Sequence, residues 1–186
     1  MKAKRRIIVC IATSADGYIA RKDGDVAWLN RPRPAGNYGM NSFFKSVDTI
    51  LWGRKTFDMT LGAANGKSGY AAGFINYVFT HRPPKAEVPG VEFVNQPIER
   101  FARRLRAIAG KNIWMMGGGG LIASFLDAGE LDEFMIHIVP VLIGEGIPLI
   151  APRHRLVKLV LKSSRRFPDG VVRLHYEVGR SRQPRT

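Results

Sequence analysis

The sequence has little cysteine, no long hydrophobic run and few acidic residues. Cys10 is the only cysteine among 186 residues, so no disulfide can form within the chain, and we expect a reducing, cytoplasmic compartment. No apolar run reaches the roughly 18 residues that a membrane span needs. The basic start and the apolar run after it resemble a signal peptide, but no cleavage site follows. We interpret this run, residues 5–13, as a buried first strand.

The shortage of acids gives the chain a strong positive charge. Lys and Arg number 29 against 15 Asp and Glu, for a formal net charge of +14. Such a balance is typical of nucleic-acid binding, which stays open as an alternative. However, the basic residues are spread along the chain, with no zinc knuckle and no aromatic strand on which bases could stack. We therefore expect anionic small ligands, no dedicated nucleic-acid partner and no membrane.

Several common catalytic motifs are also missing. There is no G-x-S-x-G or H-E-x-x-H, and the isolated histidines predict no metal site. The stretch Gly62–Ser68 has one residue too few for a P-loop and follows a helix rather than a strand. We interpret His137 as a hydrogen-bonded core residue, and Cys10, inside the first strand, as no nucleophile.

Strands alternate with helices up to residue 139, and a hairpin follows. This order predicts an α/β fold with a mostly parallel central sheet and a C-terminal antiparallel hairpin, in one domain over residues 1–179. The tail 180–186 is predicted to be disordered, and 62–73 to be a mobile loop. The predicted strands are 5–13, 49–52, 75–80, 91–94, 113–116, 133–139, 156–163 and 171–178; the predicted helices are 41–47, 54–61, 97–109 and 119–128.

Four consecutive glycines, Gly117 to Gly120, stand between a predicted strand and a predicted helix. A glycine turn that leads into a helix N-terminus favours phosphate binding. Gly118, Gly120 and Ala123 match the dinucleotide fingerprint only formally, because the acid expected about 20 residues later is missing.

Two further strand ends carry cations and hydroxyl groups. Gly53 precedes Arg54, Lys55 and Thr56 at a helix start, and Thr80-His81-Arg82 ends the next strand. Arginine can bind phosphate through two hydrogen bonds. Because parallel strands end at one edge of a sheet, this pair predicts a second phosphate site there.

These segments, in this order, resemble the dihydrofolate reductase-like superfamily. Within it they are most similar to the reductase domain of riboflavin-biosynthesis deaminase–reductase proteins. The resemblance covers residues 5–178 and lies in SADGYIA (14–20), GDVAWL (24–29), VDTILWGRKTF (47–57), YVFTHRP (77–83), IWMMGGGGLIASFLDAGELDE (113–133) and IVPVLIGEGIPLI (138–150). It implies a three-layer fold with helices on both faces of the sheet and NADPH lying across the C-terminal ends of the strands.

The resemblance also implies which residues bind the cofactor. The pyrophosphate would be held by Gly117, Gly118, Gly119, Gly120, Leu121 and Ile122 from one side and by Gly53, Arg54, Lys55 and Thr56 from the other. Arg54, Thr80, His81 and Arg82 would contact the 2′-phosphate, and Ala12 and Ile19 the nicotinamide. The Gly117–Gly118 peptide bond would be cis. On this interpretation the pyrophosphate and a strained turn together leave no room for side chains at the glycines.

We therefore expect an NADPH-dependent reductase that delivers hydride to a pteridine, an aminopyrimidine or another small polar substrate, as in riboflavin biosynthesis. The candidate substrate-pocket residues are Asp16, Trp28, Asn37, Tyr38 and Phe44, and the candidate proton donors are Asp25 and Glu145. Folate reduction stays open as an alternative, although the segment 38–45 lacks the carboxylate that binds the pteridine. A dinucleotide sensor without catalysis also stays open, as does an isologous homodimer through the late strands.

Overall fold

The computed structural model describes residues 4–63, 72–85 and 87–179. The predicted tail 180–186 and most of the predicted loop 62–73 lie outside these ranges. The strands are β1 Ile7–Ser14, β2 Tyr18–Ala20, β3 Val47–Gly53, β4 Ile75–Phe79, β5 Val91–Val94, β6 Asn112–Gly117, β7 Glu133–Val139, β8 Ile147–Pro148, β9 Leu159–Arg166 and β10 Val172–Val178. The α-helices are α1 Met40–Ser46, α2 Arg54–Ala63, α3 Ile98–Ala107 and α4 Gly119–Asp127.

Eight strands form the central sheet, in the order β5-β4-β3-β6-β1-β7-β10-β9. The pairs from β5 to β7 are all parallel, whereas β10 runs antiparallel to both β7 and β9. This arrangement confirms the predicted parallel sheet with a C-terminal antiparallel pair. It also brings the C-terminal ends of β1, β3, β4 and β6 to one edge.

Alternate residues of the buried strands face opposite layers of helices. On one face, Val9 of β1 packs in the core with Phe101 of α3 and Phe125 of α4. On the other face, Ile8 packs with residues of α1 and α2, including Phe57. Burial on both faces explains why β1 is a continuous apolar run, and it confirms the expected helices on both sides of the sheet.

The second sheet was not predicted. It consists of β2 and β8 only, and it ties the loop after β1 to the segment after β7. The backbone N–H of Ala15 donates to Val141 O at 2.8 Å, and that of Leu149 donates to Gly17 O at 3.1 Å. These bonds hold two long loops beside the glycine turn.

The predicted position of β9 was wrong by three residues. The tight turn before β10 sets its register, because Phe167 N–H donates to Val171 O at 2.8 Å and Gly170 has φ +86°. Because Leu156 and Val157 are apolar, the predicted strand began too early in the chain. None of the described helices is both long and apolar enough to cross a membrane.

Candidate functional site

The glycine turn joins β6 to α4 at the C-terminal edge of the sheet. Gly117 has φ +103°, and the peptide bond from Gly117 to Gly118 is cis, as the resemblance implied. Gly118 O accepts the N–H groups of Leu121 and Ile122 at 2.9 and 3.1 Å. The first N–H groups of α4 have no acceptor within the helix, so they and the positive end of the helix dipole can bind an anion.

The glycines of this turn have different reasons to lack a side chain. A Cβ on Gly119 would lie 2.5 Å from Pro148 O, whereas a Cβ on Gly120 would meet no atom within 4 Å. At Gly119 it is therefore the chain's own backbone that excludes a side chain. At Gly120 the space is open.

The start of α2 lies against the same turn. A Cβ on Gly53 would lie 3.2 Å from Gly117 O, and a Cβ on Gly118 would lie 3.1 Å from Thr56 Oγ1. Thus β3–α2 and β6–α4 approach each other through glycine backbone. Lys55 is exposed beside them.

Arg54 and the end of β4 also lie together, as the sequence predicted. Arg54 Nη1 donates to Arg82 O at 3.3 Å, and Arg82 N–H donates to Thr80 Oγ1 at 3.1 Å. Arg54 Nε, however, already pairs with both carboxylate oxygens of Asp58 at 2.8 Å. A phosphate bound here would share Arg54 with Asp58, while His81 and Arg82 are exposed.

A cleft of about 600 Å³ opens on one side of the glycine turn. Its lining includes Gly53, Thr80, His81 and Leu121, four of the residues that the sequence assigned to the cofactor. The sequence interpretation missed the cleft residues Asn95, Gln96 and Pro97. They directly follow β5, and the rule that parallel strands end at one edge could have identified them.

A second cleft, of about 580 Å³, opens on the other side. Of the predicted residues, those on its lining are Ala12, Ile19, Asn37, Tyr38, Phe44 and Thr56. The lining residues that sequence reasoning did not assign to this pocket include Arg31, Arg33, Met40, Met59, Trp114, Met116 and His137. Thr56 therefore links the second cleft to the glycine turn, and Gly53 links the turn to the first cleft.

Tyr38 lies on an unusual stretch of backbone in the second cleft. Asn37 and Tyr38 have φ +48° and +56°, a region that non-glycine residues adopt mainly where surrounding contacts enforce it. Tyr38 OH donates to Asp169 Oδ2 at 2.6 Å. Burial, together with this bond to a carboxylate, raises the pKa of Tyr38, and the bond lowers the pKa of Asp169.

His137 connects this stretch to the sheet. It is buried, and its Nε2 lies 3.3 Å from Tyr38 O. Burial lowers its pKa, and the nearby charge of Arg173 adds to the effect. The interpretation as a hydrogen-bonded core residue is confirmed, but the ring also lines the cleft.

The remaining predicted residues lie off the lining of both clefts as far as the structure describes them. Asp16 accepts the N–H groups of Ile143 and Gly144, the latter at 2.7 Å. Asp25 Oδ1 accepts Ala27 N–H at 3.1 Å. Glu145 pairs with Lys22 and is exposed.

Trp28 packs beside the second cleft without lining it. Its ring lies against a small cluster built on Val139, Phe167 and Val171. Its Nε1 is buried and has no hydrogen-bond partner among the described residues. A buried donor of this kind is unfavourable unless an acceptor arrives, so a bound ligand or water would stabilise it.

Known proteins are similar to this chain in sequence and in fold. The sequence pattern of the RibD C-terminal domain matches residues 5–173. The uncharacterized protein YwjB of Bacillus subtilis is 35% identical over 173 residues, which cover 93% of this chain and 98% of that protein. A crystal structure from Shewanella sp. PV-4, provisionally assigned to riboflavin biosynthesis, is 30% identical, with a TM-score of 0.81 over 94% of this chain and 99% of its own.

More distant structures share the fold alone. One is a deaminase and 5-amino-6-(5-phosphoribosylamino)uracil reductase from Thermotoga maritima, with TM-score 0.71 and 16% identity over 95% of this chain and 57% of its own. Another is the dihydrofolate reductase of Enterococcus faecalis, with TM-score 0.66 and 13% identity over 94% of this chain and 97% of its own. The α/β fold is therefore that of the dihydrofolate reductase-like superfamily.

Proposed function

Because the chain belongs to the RibD C-terminal domain family, we propose that it is an NADPH-dependent reductase that transfers hydride to a small C=N or C=O compound. One observation carries the proposal: two clefts flank a glycine turn whose Gly120 position is open, the first reaching the turn at Gly53 and the second at Thr56. An extended dinucleotide needs such a pair of clefts, with an anion site between them.

The chain's residues suit each part of this cofactor. The adenosine would lie in the first cleft, beside Thr80 and His81. The pyrophosphate would lie on the N–H groups at the start of α4, from Gly118 to Gly120, with Thr56 opposite. The nicotinamide would lie in the second cleft between Ala12 and Ile19, where it would supply the hydride.

Selectivity for NADPH over NADH is proposed to come from Arg54, Thr80, His81 and Arg82. Titrations of the protein with NADPH and NADH, followed by calorimetry or by tryptophan fluorescence, test this. We expect tight NADPH binding and weak NADH binding, and Arg54→Ala should weaken NADPH binding about tenfold more than NADH binding. Arg153→Ala is the matched control, because Arg153 is also an exposed arginine paired with a carboxylate, Asp127.

Equal losses for both cofactors in Arg54→Ala would contradict the 2′-phosphate assignment. Absence of binding to either cofactor would overturn the reductase proposal itself. Binding without turnover on any pterin, aminopyrimidine or carbonyl compound would favour a dinucleotide sensor.

The substrate is proposed to occupy the second cleft, against Asn37, Tyr38 and Phe44. In the described part of the chain no carboxylate lines this cleft, which favours a substrate other than folate. Activity measured on dihydrofolate and on 5-amino-6-(5-phosphoribosylamino)uracil separates the two alternatives.

Asp25 and Glu145 are the proposed candidates for the proton donor. Asp25 and Glu145 are exposed and lie near Arg21 and Lys22 respectively, so their loops would have to bring them to the substrate. If one of them acts, its amide variant, Asp25→Asn or Glu145→Gln, should lower kcat without changing the affinity for NADPH.

The proposal also includes that the protein is a homodimer in the cytoplasm. All eight residues of the outer strand β9 are exposed, and Leu159, Val160 and Leu161 expose 42, 55 and 54% of their surface. An edge strand offers unpaired N–H and C=O groups to a second copy. Sedimentation equilibrium should give a dimer for the parent and a monomer for Leu161→Lys; a monomeric parent would contradict the dimer.

A further inference from the structure

Arg54 lies at the start of α2, in a position that works against the stability of the helix. The N-terminal end of a helix carries a partial positive charge, so a cation in the first turn is unfavourable there. The first turn of α2 contains Arg54 and Lys55 and no acid. Two cations at this end therefore suit a bound anion better than they suit the helix itself.

The chain fixes the side chain of Arg54 through three groups. Its Nε donates to both carboxylate oxygens of Asp58 at 2.8 Å, and its Nη1 donates to Arg82 O at 3.3 Å. Its guanidinium carbon lies 5.8 Å from the centre of the Phe93 ring, within the range of a cation–π contact. These contacts hold the guanidinium beside the end of β4 and occupy part of its N–H groups.

Asp58 differs from the other two groups because it carries a negative charge. It comes one helical turn after Arg54, and half of its side-chain surface, 50%, is exposed. An arginine followed by an acid at this spacing is the less favourable order for a helix, since the acid is better placed toward the N-terminus. Exposed pairs also contribute little to stability. The stability of α2 therefore gives little reason for this pair.

Asp58 also changes the balance of charge at the proposed 2′-phosphate site. Over residues 4–63, 72–85 and 87–179, no ion pair includes Lys55, His81 or Arg82. In the same ranges neither Asp nor Glu lines the first cleft. Of these cations, Arg54 is therefore the one whose charge a described carboxylate balances.

A 2′-phosphate and Asp58 cannot both make full use of Arg54. A phosphate monoester carries a charge of about −1.5 to −2 at pH 7. Two like charges about 4 Å apart repel each other by about 1 kcal/mol in water. Phosphate binding therefore requires either that Arg54 leaves Asp58 or that the two anions stay close together, and both lower the affinity for the phosphate.

NADH does not meet this obstacle. Its ribose carries a hydroxyl group in place of the 2′-phosphate, and in dinucleotide-binding folds a carboxylate can accept the hydrogen bond of that hydroxyl. Asp58 thus opposes the phosphate of NADPH without opposing the hydroxyl of NADH.

We propose that Asp58 competes with the 2′-phosphate for Arg54, and that it thereby limits the preference of the protein for NADPH over NADH. Asp58 is a positioning residue in this role, because it acts through Arg54. The inference rests on the proposed function, which assigns the 2′-phosphate to Arg54, and it goes further by naming the group of the chain that sets the size of the preference.

Two adenosine compounds that differ only in the 2′-phosphate test the proposal. They are adenosine 2′,5′-bisphosphate and adenosine 5′-monophosphate, and calorimetry on the full chain gives their affinities. Asp58→Asn should bind the bisphosphate about fivefold more tightly than the parent does, and the monophosphate with unchanged affinity. Unchanged or weaker binding of the bisphosphate would overturn the proposal, because Asp58 would then be neutral toward Arg54 or would assist it.

Glu92→Gln is the matched control. Glu92 of β5 pairs with Arg104 of α3 at 3.1 Å, and both side chains are about half exposed. Arg104 also lies over an aromatic ring, that of Phe101, at 5.4 Å. This group repeats the arrangement around Arg54 outside the lining of both clefts. Glu92→Gln should leave both affinities unchanged, whereas an equal gain in both variants would reflect net charge and contradict the proposal.

A double variant shows whether Asp58 acts through Arg54. In the Arg54→Ala background, Asp58→Asn should change the affinity for the bisphosphate by less than about twofold. The reason is that without Arg54 nothing brings the phosphate next to Asp58. An equal gain with and without Arg54 would mean that Asp58 repels the phosphate directly, which would contradict the competition.

The outcomes also separate this inference from the proposed function. If the parent and every variant bind the bisphosphate no more tightly than the monophosphate, the 2′-phosphate assignment of the proposed function fails, and this inference fails with it. If the parent prefers the bisphosphate and Asp58→Asn leaves that preference unchanged, the role of Asp58 fails and the proposed function stands.

Discussion

At the scale of single residues, Gly119 and Gly120 are neighbours with opposite roles. A Cβ on Gly119 would collide with Pro148 O at 2.5 Å, whereas Gly120 faces open space. Gly120→Ala should therefore fold, and alanine should stabilise α4 by about 0.5–1 kcal/mol. If the pyrophosphate lies there, NADPH affinity should fall at least about tenfold, because one methyl group would exclude its closest approach.

Gly119→Ala should behave in the opposite way and destabilise the fold by about 1–3 kcal/mol. Urea unfolding measures the stability of both variants, and fluorescence titration measures their NADPH affinity. Parental NADPH affinity in Gly120→Ala would contradict a pyrophosphate on this turn.

His137 should make stability depend on pH. Its folded-state pKa lies below the ordinary value of 6.5 because the ring is buried. The folded state thus binds fewer protons than the unfolded chain between those two pKa values. The stability that neutral His137 contributes to the folded state is complete above about pH 6.5, and it is lost as the pH falls through the folded-state pKa.

Urea unfolding between about pH 7.5 and pH 5 measures this effect. His137→Asn should flatten the fall in the free energy of unfolding, because asparagine does not titrate. His154→Asn serves as the control, since His154 is exposed, and it should keep the parental slope. An identical slope in all three proteins would mean that His137 is not the source.

At the scale of elements, one carboxylate joins the loop after β1 to the loop after β7. Asp16 accepts the N–H groups of Ile143 and Gly144, and its bond to Ser14 together with these two lowers its pKa. The segment it holds continues into β8, whose Pro148 O blocks a side chain at Gly119. Asp16 therefore supports the glycine turn from outside the clefts.

Asp16→Ala should speed amide exchange at Ile143 and Gly144 about five- to tenfold, because both lose an acceptor. Hydrogen exchange followed by NMR gives the rates. Asp23→Ala is the matched control, since Asp23 lies after β2 and accepts Asp25 N–H; exchange at residues 143 and 144 should not change there. Unchanged exchange in Asp16→Ala would remove Asp16 from this supporting role.

The elements also differ in how well the sequence predicts them. The bounds of β7 agree residue for residue with the prediction, because Glu133–Val139 is a mostly apolar run that Pro140 ends. No periodicity can identify β2 and β8, which have three and two residues and exist only by pairing with each other. For β9, hydrophobicity predicted the wrong start, since the turn at Gly170 sets the register instead.

The same distinction applies to the candidate site. The glycine turn and Arg54 could be predicted because a strand, a glycine and a helix are consecutive in the chain. Arg33, Met59 and His137 come from a loop, a helix and a strand that only the tertiary fold brings to one cleft. No local pattern connects them, so the sequence could predict a pocket there but only part of its lining.

At the scale of the whole molecule, the net charge of +14 and the two clefts give different expectations for anions. A dispersed surface charge attracts any polyanion and weakens with salt. A preformed dinucleotide site, in contrast, selects one anion by the shape of that anion. Because the same positive charge attracts both kinds of anion, a measurement on the whole molecule has to separate them.

Thermal unfolding makes that separation. NADPH at about 100 times its Kd should add about 2.7 kcal/mol to the free energy of unfolding and raise Tm by roughly 5–10 °C. NADH at the same concentration should raise it less, and heparin, a polyanion without the dinucleotide's shape, should act only at low salt. Gly120→Ala should lose about half of the NADPH shift or more, as a tenfold weaker affinity requires, and it should keep the heparin shift, since its charge is unchanged. The opposite result is that added salt and Gly120→Ala change the NADPH shift and the heparin shift in the same way. In that case the charged surface, and not the glycine turn, binds the cofactor, and nucleic-acid binding becomes the better-supported function.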